Sequence, residues 1–331
     1  MTQSGRSDKK PEANLGLPED SPASPARGWR KFFGLGIALA IMGFLALQVV
    51  NNWAGVRDYP WSFRPGYLVL SMVCVQCAYF IIARSWRTLL RAVDIRPSYR
   101  RAYWIFYISN LGRYIPGKIW QISAAAMIGN SMGLSGSMLA ASMVINMLYF
   151  VTIGTLIVLA SGPFPHPFDS STYRILAWLF AGTLAVISLW PRPLIQIVDR
   201  LFSRLQLQPD KWRLTLGRQA AVIAQTAMAW ILMSTGFALF VLSVTSTGDT
   251  AWWVLARSYV AAYVLGYVML LAPGGIGVRE GFLTLLLTPI VGFGPAAGLA
   301  LLSRLWSIGT ELIALIPAAI WARKDNWRWP S

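Results

Sequence analysis

The sequence predicts an all-α polytopic membrane protein with six spanning helices and two re-entrant helical hairpins, arranged as an inverted repeat. Three observations carry that reading. Of the 331 residues, 56% are hydrophobic and 13% are charged, about half the charged share of an ordinary soluble domain. Apolar runs near the roughly 20 residues needed to cross about 30 Å of hydrocarbon recur along the chain. Lysine and arginine concentrate in alternate loops, as they do on the cytoplasmic side of membrane proteins.

These observations exclude several classes. Mean hydropathy is +0.51, which rules out a disordered chain or an ordinary soluble enzyme. The net charge of +16 comes from 29 Lys+Arg against 13 Asp+Glu. Such a balance often marks nucleic-acid binding, but loop cations account for it here, so no nucleic-acid partner is expected. Two cysteines and one histidine are too few for a zinc site or a disulfide framework. No metal or cofactor is expected.

Residues 1–28 are polar and rich in Ser, Pro and Gly, and read as a disordered cytoplasmic tail. No signal peptide is expected, because the first apolar run starts near Phe32 after a long polar lead. Residues 29–321 form the membrane domain, with halves at about 29–160 and 173–321, and 322–331 form a second cytoplasmic tail. The expected spans are 32–50, 66–83, 137–160, 173–190, 219–245 and 296–321. The loop after the second span carries Arg84, Arg87, Arg91, Arg96, Arg100 and Arg101. The loop after the fourth carries Arg192, Arg200, Arg204, Lys211, Arg213 and Arg218. Both should be cytoplasmic, together with Arg323, Lys324 and Arg328 at the C-terminus. Segment 161–172 has no lysine or arginine and fits the opposite side.

Two further apolar regions, 103–128 and 252–292, are broken by Gly, Pro and charge. A single crossing by 103–128 would put the cationic loop 191–218 outside. A hairpin that enters and returns on the cytoplasmic side keeps the charge pattern. By the same parity, 252–292 enters and returns from outside, although its first arm is long enough to span. Each half then reads span, span, broken hairpin, span, with opposite starting sides, the order seen in inverted-repeat transporters.

Irregular backbone survives in a bilayer only where protein or a wet cavity covers it. The tips Gly112, Pro116 and Gly117, and Pro273, Gly274, Gly275 and Gly277, are therefore expected to line a cavity. Pro116 suits the first turn of a returning half-helix, whose N-terminus favours an anion. Arg113 and Lys118 add charge at the first tip, and Arg279 and Glu280 at the second. The alternative is surface loops whose cations snorkel to headgroups.

Arg304 and Glu311 lie inside the last apolar run, where ionisable residues face the bundle interior. Seven residues apart, they share a face about 10 Å apart, flanked by Ser303 and Ser307. One reading has Arg304 on a phosphate and Glu311 titrating or holding a cation. The other is a structural ion network with Glu280 or Arg279.

Asn110 sits beside the first tip. Asn146, Gln121 and Gln225 read first as interhelical glue, and Gln121 also as a headgroup contact. Cys74 and Cys77 read as packing residues. His166 has no evident partner. Trp252, Trp253, Trp327 and Trp329 fit interfacial belts. Segment 194–206 reads as an amphipathic helix on an anionic leaflet.

The run Leu111-Gly112-Arg113-Tyr114-Ile115-Pro116-Gly117-Lys118-Ile119-Trp120 resembles a hallmark of the lysylphosphatidylglycerol synthase transmembrane, or flippase-like, family. Ala272-Pro273-Gly274-Gly275-Ile276-Gly277-Val278-Arg279-Glu280 resembles its second hallmark. Ser303-Arg304-Leu305-Trp306 with Glu311 is similar to its last helix. The resemblance covers about 30–321. It implies a bacterial inner-membrane protein with re-entrant hairpins and a role in moving lipid headgroups. The chain ends ten residues after the last expected span, so the soluble aminoacyl-transferase domain of bifunctional members is not expected.

The expected function is a lipid translocase for a phosphate-bearing or aminoacylated headgroup. Arg113, Lys118, Arg279 and Arg304 would hold phosphate, Glu280 and Glu311 would balance charge, and Asn110, Gln121 and Ser303 would add polar contacts. No Walker-type loop is present to bring ATP into this chain. The alternatives are a non-transporting subunit of a cell-envelope lipid or glycan synthase, and an intramembrane lipid-modifying enzyme with a glutamate as acid or base. The expected partners are an anionic or phosphate-bearing lipid and the membrane. A homo-oligomer or an envelope-synthase partner is also among the expected assemblies.

Overall fold

The computed structural model describes residues 53–114, 119–162, 170–201, 212, 214–246, 252–269, 275, 277–325 and 327, and Gly43, Leu47, Val50 and Asn51. The expected tail 1–28, most of the expected span 32–50, His166, Trp329 and the tip residues Pro116, Gly117, Lys118, Pro273 and Gly274 lie outside the described residues.

The described residues are helical, with no strand among them beyond one isolated bridge between Trp61 and Thr245. The helices are α1 (Trp53–Arg57), α2 (Pro65–Ala92), α3 (Tyr99–Asn110), α4 (Ile119–Ser131), α5 (Gly136–Ala160) and α6 (Ser171–Leu189). They continue as α7 (Arg192–Leu201), α8 (Leu216–Val244), α9 (Trp252–Val268), α10 (Val278–Val291) and α11 (Phe293–Lys324).

Four of these, α2, α5, α8 and α11, are long and apolar enough to cross a membrane. They fall on four of the six expected spans. The expected span 173–190 is α6, 19 residues long, whose apolar stretch Arg174–Leu189 is shorter than the other four. The expected amphipathic segment is helical over 194–201 as part of α7, and its remainder, 202–206, lies outside the described residues.

Helices α2 and α8 pack side by side and antiparallel. Arg64 N–H donates to the Ser243 carbonyl at one end (2.8 Å), and the Ser85 and Thr226 hydroxyls meet at 3.3 Å further along. Gly236 permits the approach, since a Cβ there would lie 2.8 Å from Val75 and 3.0 Å from the Ser71 carbonyl. Small residues at a crossing let apolar helices gain van der Waals contact. Thr88 donates to Gln225 across the same seam (3.4 Å), the glue role expected of that amide. Cys74 borders this contact, but Cys77 is exposed rather than packed. Its place on the outward side of α2 corrects the packing role expected of it.

The helix after each broken region lies against the first arm of the other region. Helix α5 packs on α9, and α11 packs on α3. Buried tryptophans fasten these layers, each with its indole N–H satisfied as burial demands. Trp230 donates to the Phe150 carbonyl (2.9 Å), Trp306 to Ser71 (2.9 Å) and Trp86 to Ser142 (3.0 Å).

Candidate functional site

The first broken region folds as two short antiparallel helices. Ser98 caps α3 by accepting the Arg101 N–H (3.3 Å). Twelve residues give α3 a length of about 18 Å, and the thirteen of α4 give about 20 Å. Neither crosses about 30 Å of hydrocarbon. Helix α3 tightens into a 3₁₀ turn, Leu111–Tyr114. Gly112 is required there by close approach. A Cβ would lie 2.7 Å from backbone atoms of both Trp120 and Gln121, so the second arm crosses directly over it. The arms are tied by the Gln121 amide, which donates to Asn110.

The second broken region has arms of 17 and 14 residues, α9 and α10. Gly275 and Gly277 have positive φ of +70° and +85°, a conformation that glycine adopts without penalty. Gly277 precedes α10, and its N–H donates to Glu280 Oε2 (2.7 Å). That is the back-reaching half of a capping box, with the glutamate at the third helical position. Gly266 packs against this tip: a Cβ on it would lie 2.9 Å from Arg279 Cβ, and one on Gly275 would lie 2.8 Å from the Gly266 carbonyl.

Both tips reach the middle of α11. Arg304 is about 17 Å from the start of that 32-residue helix and Glu311 about 20 Å from its end. The approaches come from opposite ends. Tyr103 of α3 donates to the Ala314 carbonyl (2.9 Å), and Tyr99 meets Trp321 edge-on, both toward the α11 C-terminus. Helix α10 instead joins α11 at its N-terminus through Gly292.

Where the tips meet, the charges pair between elements. Arg113 forms an ion pair with Glu311, and the Tyr114 hydroxyl donates to the same carboxylate. Arg304 lies 3.7 Å from Glu280. The guanidiniums of Arg113 and Arg304 lie 5.5 and 5.7 Å from the Tyr114 ring centroid, within cation–π range. Arg279 is held differently. It donates to Ser307 (2.9 Å) and lies 5.1 Å from the ring centroids of both Tyr259 and Tyr263.

Burial makes this arrangement expensive. Glu280 is fully buried, and Arg279 and Arg304 are 5% and 8% exposed. Three arginines against two glutamates leave one positive charge among the described residues. Among the described residues Arg279 has no carboxylate within ion-pair distance and its Nε has no hydrogen-bond partner, while Glu280 Oε1 faces Arg304 at 3.7 Å without a hydrogen bond. Buried polar atoms are nearly always satisfied, which makes the Arg279 Nε a candidate contact for a ligand or water.

Beside Arg113 is a cavity of about 60 Å³, lined by Asn110, Gln121, Asn146, Tyr107 and Tyr263 among others. It has room for a few water molecules. The buried Tyr107 hydroxyl, on this lining, has no hydrogen-bond partner among the described residues.

The expected residues Arg113, Arg279, Glu280, Arg304 and Glu311 thus come together, with Asn110 and Gln121 at the cavity edge. Ser303 does not join them, because its buried hydroxyl donates to the Ala300 carbonyl (2.7 Å). Ser307 makes the arginine contact instead. Sequence reading missed the roles of Tyr114, Tyr259, Tyr263 and Gly266. The four-residue spacing of Tyr259, Tyr263 and Tyr267 on α9 was the available signal, since it places all three on one helix face.

The fold and the buried ion pairs together define a polytopic α-helical membrane protein with a charged interior. A family model described as Lysylphosphatidylglycerol synthase TM region matches residues 32–314, and the chain belongs to that family. No curated protein and no solved structure matches the chain.

Proposed function

We propose that this chain is a lipid translocase, a transporter rather than an enzyme, moving a phosphate-bearing or aminoacylated headgroup across a bacterial inner membrane with both termini cytoplasmic. The observation that carries this reading is the uncompensated Arg279 in a buried, net-positive cluster at the middle of a membrane-length helix. A charge held at such depth without a counter-ion calls for an anionic ligand, and a lipid phosphate is the anion that a bilayer supplies in quantity.

The two hairpins are read as re-entrant, one from each leaflet. Support comes from the short arms of the first hairpin, from the 14-residue second arm of the other, and from their approach to α11 from opposite ends. The inverted repeat is supported by the antiparallel pairing of α2 with α8, which hold the same place in the two halves, and by the reciprocal packing of α5 on α9 and α11 on α3. Phosphate would bind Arg279 first and then compete with Glu311 for Arg113 and with Glu280 for Arg304. Lys118 would add a further cation. The ion pairs close again when the headgroup leaves, so neither charge stays bare.

The test is transport of a fluorescent phosphatidylglycerol in proteoliposomes, with folding checked by gel filtration. Arg113→Gln should slow movement by at least about tenfold, the equivalent of one lost charge-assisted hydrogen bond. Wild-type transport by a correctly folded Arg113→Gln protein would refute the assignment.

A further inference from the structure

A second feature lies on the far side of α9 from the charged cluster. Tyr259, Tyr263 and Tyr267 occupy one face of that helix. Ala261, Val264, Leu265 and Val268 occupy the opposite face and line a crevice of about 270 Å³ between α5, α6, α9 and α10. This is just below the roughly 300–1,000 Å³ of small-ligand sites. Val158, Ala177, Phe180 and Leu286 also line it, and only Thr155 and Arg174 among its lining residues are polar.

The register of the walls gives its depth. Helices α5 and α9 run antiparallel, with Arg257 donating to the Ser161 carbonyl (3.3 Å) near one end and Gly154 packed against Val264 further in. The crevice's lining on α9, Ala261 to Val268, therefore runs about 11 Å inward from that end, at 1.5 Å per residue, which is most of the half of about 30 Å that one leaflet of hydrocarbon occupies. The charge sits at the shallow end. Arg174 is in the first turn of α6, exposed, with no carboxylate in ion-pair distance among the described residues. Trp252 and Trp253, at the start of α9 on the same side, are exposed as interfacial tryptophans are.

We infer that the crevice is a binding site for one phosphate-bearing diacyl lipid, with an acyl chain between α6 and α9 and the phosphate on Arg174. Two features separate it from ordinary lipid-facing surface. It is concave, running inward for about 11 Å along α9, and it carries a single cation at its shallow end. Charge complementarity selects an anionic headgroup. The apolar lining excludes free phosphate as the occupant. The site is separate from the ion-pair cluster and does not rest on the transport reading.

The test is native mass spectrometry of the full chain in mild detergent, titrated with phosphatidylglycerol or with diacylglycerol of the same chains. Arg174→Gln should weaken phosphatidylglycerol binding by about tenfold, the equivalent of one charge-assisted hydrogen bond, and leave diacylglycerol unchanged. Ala177→Trp should fill the crevice and remove tightly held copies of both lipids. Excess inorganic phosphate should displace neither. Unchanged lipid occupancy in both variants would overturn the proposal. So would a photo-crosslinker at position 177 that captures residues 32–51 or a second copy of the chain instead of lipid.

Discussion

The first hairpin leaves Arg113 partly exposed and borrows its counter-charge from another element, Glu311 of α11. The second buries Arg279 and Glu280, and its carboxylate, besides facing Arg304 of α11, also caps its own helix at Gly277. Both tips face the same helix, so the difference lies in how each charge is held. An ion pair between separate elements can open when one element moves. Glu280 cannot leave its place without uncapping α10. Under the proposed translocase reading, the first hairpin is the place where an incoming anion would displace a carboxylate at least cost, and the second is the more rigid wall against which it would bind.

Substitutions on the two tips test this difference. The largest effect is expected for Glu280→Ala. It removes the cap on the Gly277 N–H and leaves Arg304 buried without its partner, a loss of about 3–5 kcal/mol for a broken buried pair. A thermal-shift measurement in detergent should show a large drop in midpoint. Retention of wild-type stability would mean that the second tip is not the rigid one.

A smaller effect is expected for Gly112→Ala. Its Cβ would meet backbone atoms rather than a movable side chain, so the arms must part, at about 1–3 kcal/mol for an overpacked site. Gly281→Ala, one turn into α10, is the contrast. Nothing lies within 4 Å of a Cβ there, and alanine is favoured over glycine in a helix by up to about 1 kcal/mol. The same assay should show Gly112→Ala less stable and Gly281→Ala unchanged or more stable.

Much of this site was legible in the sequence. Lone charges in apolar runs had to face inward, and Gly- and Pro-broken segments had to be covered. Those two constraints alone bring Arg113, Arg279, Glu280, Arg304 and Glu311 onto one short list. The pairing was not legible. Arg304 and Glu311 share a helix face, yet each pairs with a different hairpin, because a partner is set by which element arrives at each level and not by spacing along α11. Gly266 was missed for a related reason. Nothing local distinguishes it from any other helical glycine, and its need arises only from the Arg279 backbone packed against it. Serine at 303 and at 307 looked equivalent, but Arg279 of α10 reaches the second.

In the re-entrant reading, the first hairpin tip, packed against the middle of α11, lies inside the membrane. Disulfide formation between Tyr114→Cys and Glu311→Cys, in a chain with Cys74 and Cys77 replaced and measured in native membranes, tests it directly. Rapid cross-linking is expected, with slow labelling of Tyr114→Cys alone by a membrane-impermeant maleimide. Absence of the cross-link, with full labelling from one membrane surface, would place that tip in an ordinary surface loop and rule out a re-entrant hairpin there.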